Sequence, residues 1–319
     1  MISIGTFNLN NLFSRFNFKG ELSNGSGVES SISYTFAPGS YRPRTYQGSL
    51  VKGKAPRDTK AVASRIKEMN LDILALQEVE DIDTLQQFNR EYLSGMYRYQ
   101  VLVEGNDDRL IDVALLSKLP VGPVTSWRHA VHPDDPSRPV FSRDLLEVEI
   151  WDQARSKRLF RLFNAHLKSK LLDPRSTAAE SRQHNDLRRT RQSEMIAEIV
   201  RRRKGDGTPF VIVGDMNDTP DSPCLAPFIK GGGFRIVNAL SSPSETRPPK
   251  KDTPPPQSTS WTHRFKETGK DAQYELFDQI WISYSLRNIL KESWINRRKN
   301  LAGDGSDHDP AWIVLDLKY

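Results

Sequence analysis

Apolar and polar residues alternate along ISIGTFNL (2–9), and that period of two predicts a strand. DTKAVASRIKEM (58–69) puts Val62, Ile66 and Met69 on one stripe of a helix, with Asp58 placed to cap it. LDILALQE (71–78) then reads as a strand, and 81–93 as a short helix. YQVLVEG (99–105) and IDVALLSK (111–118) read as neighbouring strands. LLEVEIW (145–151) and RLFRLFNAHL (158–167) flank the polar turn DQARSK, which predicts a hairpin. Residues 184–204 form a helix with an apolar side at Leu187, Met195, Ile196, Ile199 and Val200, and PFVIVGD (209–215) is a buried strand. STSWTHRF, YELFDQIWIS and PAWIVLDLK add strands in the last third.

Two stretches break the pattern. Residues 17–55, rich in Ser, Gly, Tyr and Arg, read as a long loop or insertion holding a hairpin. Residues 241–258 are Pro-rich and polar, a surface loop within one domain spanning 1–319. Strands follow strands, so the sheets are mixed or antiparallel. Helices are too sparse to cover both faces of one sheet. The pattern therefore predicts an α/β fold of two sheets packed face to face, with helices outside.

Composition narrows this only modestly. The 319 residues carry 46 Lys and Arg against 40 Asp and Glu, a charge of +6 that permits an anionic partner. Cys224 is the single cysteine, which excludes an intrachain disulfide and a thiolate metal cluster. No apolar run reaches the roughly 20 residues of a membrane span. MISIGTFNLNNLF lacks the basic and apolar regions of a signal peptide. The expectation is a cytoplasmic protein, or a secreted one if a leader has been removed.

Polar residues collect at the strand ends: Asn8, Glu78, Asp112, His166, Asp215, Asn217, Asp278, Asp307 and His308. Strand ends at one edge are where open α/β sheets bind ligands. Alone, Asn8 is a turn former, Glu78 a solvated tip and His166 a satisfied core histidine. Asp112 between Ile111 and Val113 is harder to dismiss, because an isolated buried carboxylate is unfavourable. Together they suit metal-assisted phosphoryl transfer. Asn8, Glu78 and Asp307 offer hard oxygens of the kind Mg²⁺ or Mn²⁺ uses. Asp278 beside His308 would fix the imidazole tautomer and make it a general base. Asp215 and Asn217 would place the nucleophile and phosphate. His166 would stabilise the phosphorane or protonate the leaving oxygen.

The ordered set TFNLNNL, LQEVE, FNAHLKS, VIVGDMND, FDQIWIS and GSDHDP resembles the endonuclease/exonuclease/phosphatase superfamily with the DNase I-like fold. That resemblance implies a four-layer sandwich, two central mixed β-sheets flanked by helices. It implies metal ligation by Asn8, Glu78 and Asp307, an Asp278–His308 pair, an Asp215-x-Asn217 element and an active-site His166. LQEVE and AHLKS depart from the abasic-site endonucleases, which carry a Lys soon after the Gln-Glu and a Tyr in the place of His166. That points to the DNase and general phosphodiesterase branches.

Charge bears on the substrate. Residues 168–191 hold seven Lys and Arg against three acids, directly after the His166 strand. Arg188, Arg189 and Arg191 there, with Arg143 and Asp112, are the expected substrate-binding residues. In the insertion, Arg42, Arg44, Lys52, Lys54 and Arg57 interleave with Tyr34, Tyr41 and Tyr46, a combination that can track a phosphate backbone and stack on bases. The expectation is a Mg²⁺-dependent nuclease with DNA as partner, Mn²⁺ being a substitute. The alternatives are hydrolysis of a small or lipid phosphoester, as in sphingomyelinases and inositol phosphatases, and an inactive binding module. Every catalytic position is filled, which weakens the last.

Overall fold

The computed structural model describes residues 1–13, 53–248, 254–300 and 303–317 in full. Within 14–52 it describes only the backbone of the strands Asn17–Glu21, Ser33–Ala37, Tyr41–Pro43 and Leu50–Lys52. These form two antiparallel ribbons where one hairpin is expected. The side chains of Tyr34, Tyr41, Arg42, Arg44, Tyr46 and Lys52 lie outside the described residues, as does 249–253 of the Pro-rich segment.

Strand parity builds the molecule. Ile2 and Ile4 of Ile2–Leu12, Ile73 and Ala75 of Ile73–Val79, and Val113 and Leu115 of Asp112–Ser117 point to one side. Phe7, Leu9, Leu74, Leu76, Ala114 and Leu116 point to the other, against the helices Pro56–Met69 and Ile82–Glu91. A second sheet repeats the device. Phe160, Leu162, Val211, Val213, Ile280 and Ile282 face the first sheet. Phe163, Ala165, Phe210, Ile212 and Trp281 face the helices Ala178–Arg203 and Ala226–Ile229. The result is the four-layer α/β sandwich that the resemblance implies.

The first sheet runs Ser244–Glu245, Leu290–Ile295, Ala311–Leu315, Ile2–Leu12, Ile73–Val79, Asp112–Ser117, Tyr99–Leu102. The second runs Ile236–Asn238, Asp278–Ser283, Phe210–Asp215, Arg158–His166, Leu145–Trp151, Val121–Ser126. Each is mixed, with one parallel pair near its middle: Ile2–Leu12 with Ile73–Val79, and Arg158–His166 with Phe210–Asp215. Both pairs end at the same edge of the sandwich. Between the sheets the apolar filling gives way there to a hydrogen-bonded layer. Thr6 Oγ1 donates to Gln77 Oε1 at 3.2 Å, and Gln77 Nε2 to Asn164 Oδ1 at 2.8 Å. Asn164 Nδ2 caps the carbonyls of Leu76 and Ala114. Gln77 thus ends an apolar run because it pins the two sheets together beneath the site.

Several element boundaries differ from expectation. The first helix begins at Pro56 with Ala55 as N-cap, so Asp58 lies in its first turn. Proline fits the first helical position, where its missing N–H is not needed. The long helix begins at Ala178 behind a capping box of Thr177 and Glu180, and Leu187 on it is half exposed. YELFDQIWIS divides into Gln273–Glu275, paired with His263–Phe265, and Asp278–Ser283. Val121–Ser126, Ile236–Asn238 and Leu290–Ile295 are strands that the alternation does not reveal. Val121–Ser126 is an edge strand, where Pro123 is tolerated. The Pro-rich segment also contributes Ser244–Glu245 to the first sheet. Among the described residues, no helix is long and apolar enough to cross a membrane.

Candidate active site

The inward rows that begin as Ile and Val end, at the shared edge, in His166, Asp215, Asp278 and Asn8. His166, Asp215 and Asp278 sit side by side in register across the second sheet. Asn8 reaches them from the first, its Nδ2 donating to Asp215 Oδ2 at 2.9 Å. Such close approach of parallel strands has one strict requirement. Gly214 has φ +135, and a Cβ there would lie 1.9 Å from the Ala165 carbonyl oxygen, so only glycine fits before Asp215.

Parity alone would send residue 78 outward with Leu74 and Leu76. The register instead breaks between Gln77 and Val79, and Glu78 takes φ 63. A bulge of this kind re-aims a side chain, and positive φ is uncommon for a glutamate. Glu78 Oε1 comes 3.4 Å from Asn8 Nδ2, and Oε2 accepts from Asn11 N at 2.9 Å. The Lys54 amine, hydrogen-bonded to Asn10 O at 2.8 Å, interacts electrostatically with Asp58, Glu78 and Asp307. Three carboxylates thus share its cationic charge. The all-oxygen donors of Asn8, Glu78 and Asp307 fit Mg²⁺ or Mn²⁺, which need few protein carboxylates.

His308 is held by His308 Nδ1 to Asp278 Oδ2 at 2.6 Å, while its Nε2 lies 4.0 Å from Asp215 Oδ2. Burial opposes its charge, but Asp278, Asp215 and Asp307 overcome this and raise its pKa to about 10. Burial raises the Asp215 carboxyl. His166 Nε2 is 3.5 Å from Asp215 Oδ2. Burial, then Arg143, His308 and Arg109, hold His166 well below the usual histidine range, so it is neutral near pH 7. A neutral imidazole donates a hydrogen bond but is not a strong acid. Asn217, at φ 51, gives its backbone N–H to Asp215 Oδ1 and its Nδ2 to Leu167 O.

The loop carrying Asp307 and His308 is clamped by Asp309, whose fully buried carboxylate meets Arg65 and Arg298 at 3.0 Å and Arg297 at 3.3 Å. Arg65 and Arg298 also hold the carbonyls of His308 and Asp307. The second acid of GSDHDP therefore positions its neighbours.

The expected substrate-binding residues fare differently. Arg189 is 1% exposed. Its guanidinium is occupied by Asp218, Asp186 and the Lys168 carbonyl, so it is a structural residue that fixes the loop after His166. Arg191 reaches Asp135 at 3.1 Å and ties the long helix to the Asp135–Pro139 strand. Arg143 is buried beneath the site, donating to Leu167 O at 2.7 Å and to Asp107 Oδ2 at 3.1 Å. Arg188 is half-buried and lines a cleft of about 810 Å³ in which Arg109, Arg143, Lys168 and Arg175 mix with Asp107, Asp108, Asp173 and Glu180. Lys168 there is lowered to about 8 by burial and by the charges of Arg143, Arg109, Arg188 and Arg189. Arg109, half exposed and ion-paired with Asp107, lines this cleft, while His263 in SWTHRF lies beside Asp307 and His308; neither stands out in the sequence. The signal for Arg109 is its place just before the strand Asp112–Ser117, on the same edge.

Asp112 does not join the cluster. It is 1% exposed, Oδ1 accepts from Gly105 N at 2.9 Å, and Oδ2 has no partner among the described residues. Burial raises its pKa to about 7, helped by Glu104, Asp107 and Asp144. The folded state therefore holds this proton more tightly than the unfolded chain, and stability falls as pH rises from about 4 to about 7. Asp112→Asn is expected to raise the melting temperature at pH 8 by several degrees and to leave it nearly unchanged at pH 4. Thermal unfolding at both values checks this, and equal shifts would contradict it.

The chain matches the model of the Endonuclease/Exonuclease/phosphatase family over residues 5–308. No curated protein matches it. Solved structures with a similar fold include an endonuclease/exonuclease/phosphatase from Bacteroides vulgatus, 17% identical over 99% of each chain with a TM-score of 0.59. Another is the mannosyl-6-phosphatase Bt3783 of Bacteroides thetaiotaomicron, 14% identical over 99% of this chain and 100% of that one, with a TM-score of 0.56. A third is an AP endonuclease from Archaeoglobus fulgidus, 17% identical over 99% and 100%, with a TM-score of 0.55. Two mixed sheets inside four layers, six motifs in order and a match spanning nearly the whole chain lead to one assignment: this protein is a hydrolase of the endonuclease/exonuclease/phosphatase family, with the DNase I-like fold.

Proposed function

We propose that the chain is a divalent-metal-dependent phosphodiester hydrolase acting on DNA. The buried Asp278–His308 pair, 2.6 Å apart and facing Asp215, carries this reading. Asp278 fixes Nδ1 of His308, so proton exchange with an attacking water takes place at Nε2. Asp215, itself hydrogen-bonded by Asn8 and Asn217, orients that water. Neutral His166 donates to a phosphate oxygen as negative charge develops there. A Mg²⁺ or Mn²⁺ ion on the oxygens of Asn8, Glu78 and Asp307 would neutralise that charge and, by offsetting Asp307, loosen the proton on His308.

DNA is supported by Lys168 and Arg188 in the cleft beside His166, where Arg109, Arg143 and Arg175 are already ion-paired with Asp107 and Asp173, and by the similarity to an AP endonuclease. The similarity to a mannosyl-6-phosphatase favours a second reading, a small phosphoester. Supercoiled plasmid, single-stranded DNA, RNA, sphingomyelin and inositol phosphates, each with Mg²⁺, Mn²⁺ or EDTA, separate the two. Metal-dependent cleavage of DNA is the expected result. Hydrolysis of the small phosphoesters alone would establish the second reading. The double variant Lys168→Ala/Arg188→Ala is expected to raise KM on DNA about tenfold and to flatten the salt dependence by one to two phosphate contacts. Its kinetics on bis(p-nitrophenyl) phosphate should barely change, since one phosphate does not fill the cleft. Equal loss on both substrates would assign these residues a structural role.

A further inference from the structure

One set of donors beside the Asp278–His308 pair is unsuited to Mg²⁺. His263, Asp307 and His308 each present a ligand atom, and the three atoms lie within 4.8 Å of one another. His263 is carried there by the ribbon of His263–Phe265 and Gln273–Glu275, and a backbone bridge ties it to His308. Its ring stacks on Phe277 with centroids 4.9 Å apart and planes 10° apart, and it tilts against the His308 ring at 5.0 Å. His263 Nδ1 is buried with no partner among the described residues. Buried polar groups almost always have partners, so this nitrogen is open to an ion or a water.

His308 can take the same ligand once the ion displaces its Nε2 proton. Its Nδ1 is bound to Asp278, and a carboxylate behind an imidazole is the usual support of a metal-ligating histidine. Two imidazole nitrogens and one carboxylate favour Zn²⁺ and Co²⁺ over Mg²⁺, which prefers oxygen donors alone.

We propose that His263, Asp307 and His308 form a transition-metal site that overlaps the hydrolytic centre, and that Zn²⁺ bound there inhibits the enzyme. Metal capture stands on the donor geometry. Inhibition rests additionally on the proposed hydrolytic function, because an ion there occupies His308 and Asp307 together.

Cobalt titration of the full chain in excess Mg²⁺ tests the site without turnover. Wild type is expected to bind one Co²⁺ with visible absorption bands of nitrogen coordination. His263→Phe, which keeps the aromatic stack on Phe277, should bind it at least tenfold more weakly and lose the bands. His263→Tyr provides the same comparison if the first variant does not fold. Equal bands and affinity in wild type and variant would overturn the proposal, as would no bands in wild type. Zn²⁺ should inhibit Mg²⁺-supported hydrolysis of bis(p-nitrophenyl) phosphate in wild type, with the half-inhibiting concentration at least tenfold higher in His263→Phe. Equal inhibition would overturn the overlap. A cobalt signature in a protein that hydrolyses no phosphoester would leave the metal site standing and refute the hydrolytic reading instead.

Discussion

Replacing His308 with alanine is expected to lower kcat on bis(p-nitrophenyl) phosphate by about 10²–10⁴-fold, the range over which a positioned acid or base contributes. Asp278 acts through the imidazole, which it meets at 2.6 Å, and has no other side-chain partner within the cluster as close. Asp278→Asn should therefore impair the same step, and the double variant should be scarcely slower than His308→Ala alone. Losses that multiply in full would show that the two residues do not work as a unit. Stability supplies an independent readout in metal-free protein. The folded pKa of His308, about 10, lies above the unfolded value near 6.5. Its contribution is then fully present below about pH 6.5 and is lost as pH rises to about 10. Wild type should lose stability across that window, and His308→Ala should lose much less.

The sandwich is legible because its strands are buried on both faces yet keep their parity. Ile2 and Ile4 against Phe7 and Leu9, or Phe160 and Leu162 against Phe163 and Ala165, separate the inter-sheet core from the helix-facing core. Asn8, His166, Asp215 and Asp278 stand out in the sequence as polar residues at strand ends, and the fold sets them in inward rows at one edge. What alternation does not carry is edge strands. Leu290–Ile295 has two exposed positions and Val121–Ser126 holds Gly122 and Pro123, so neither looks like a core strand. Charge was misread where burial decides. Arg189 looks in sequence like Arg188 beside it, but one helical position turns it inward onto Asp218. His263 was passed over because its significance comes from Phe277 and His308, which are distant in sequence and meet only in the fold.

Glu78→Gln is expected to abolish measurable turnover while the protein keeps its fold. The substitution preserves shape, so the bulge at φ 63 and the hydrogen bond from Asn11 N can survive with the amide oxygen in place of Oε2. What changes is charge. The Lys54 amine interacts with Asp58, Glu78 and Asp307, and of these Glu78 and Asp307 are the proposed ligands, so one of their two negative charges is removed. Mg²⁺ uses few protein carboxylates, and losing one weakens its binding directly. Loss of the ion's electrostatic stabilisation would remove several kcal/mol at the transition state, or about 10³-fold in rate or more. Two measurements separate this from simple unfolding. The circular dichroism spectrum and melting temperature in EDTA should match those of wild type. The stabilisation that Mg²⁺ gives wild type should be reduced in the variant, because a ligand raises stability only as far as it binds the native state. Full activity at saturating Mg²⁺ would sink the assignment. An inactive variant that still gains as much from Mg²⁺ as wild type would move the ion elsewhere in the cleft and leave Glu78 with a role in positioning Asn8, whose Nδ2 lies 3.4 Å away.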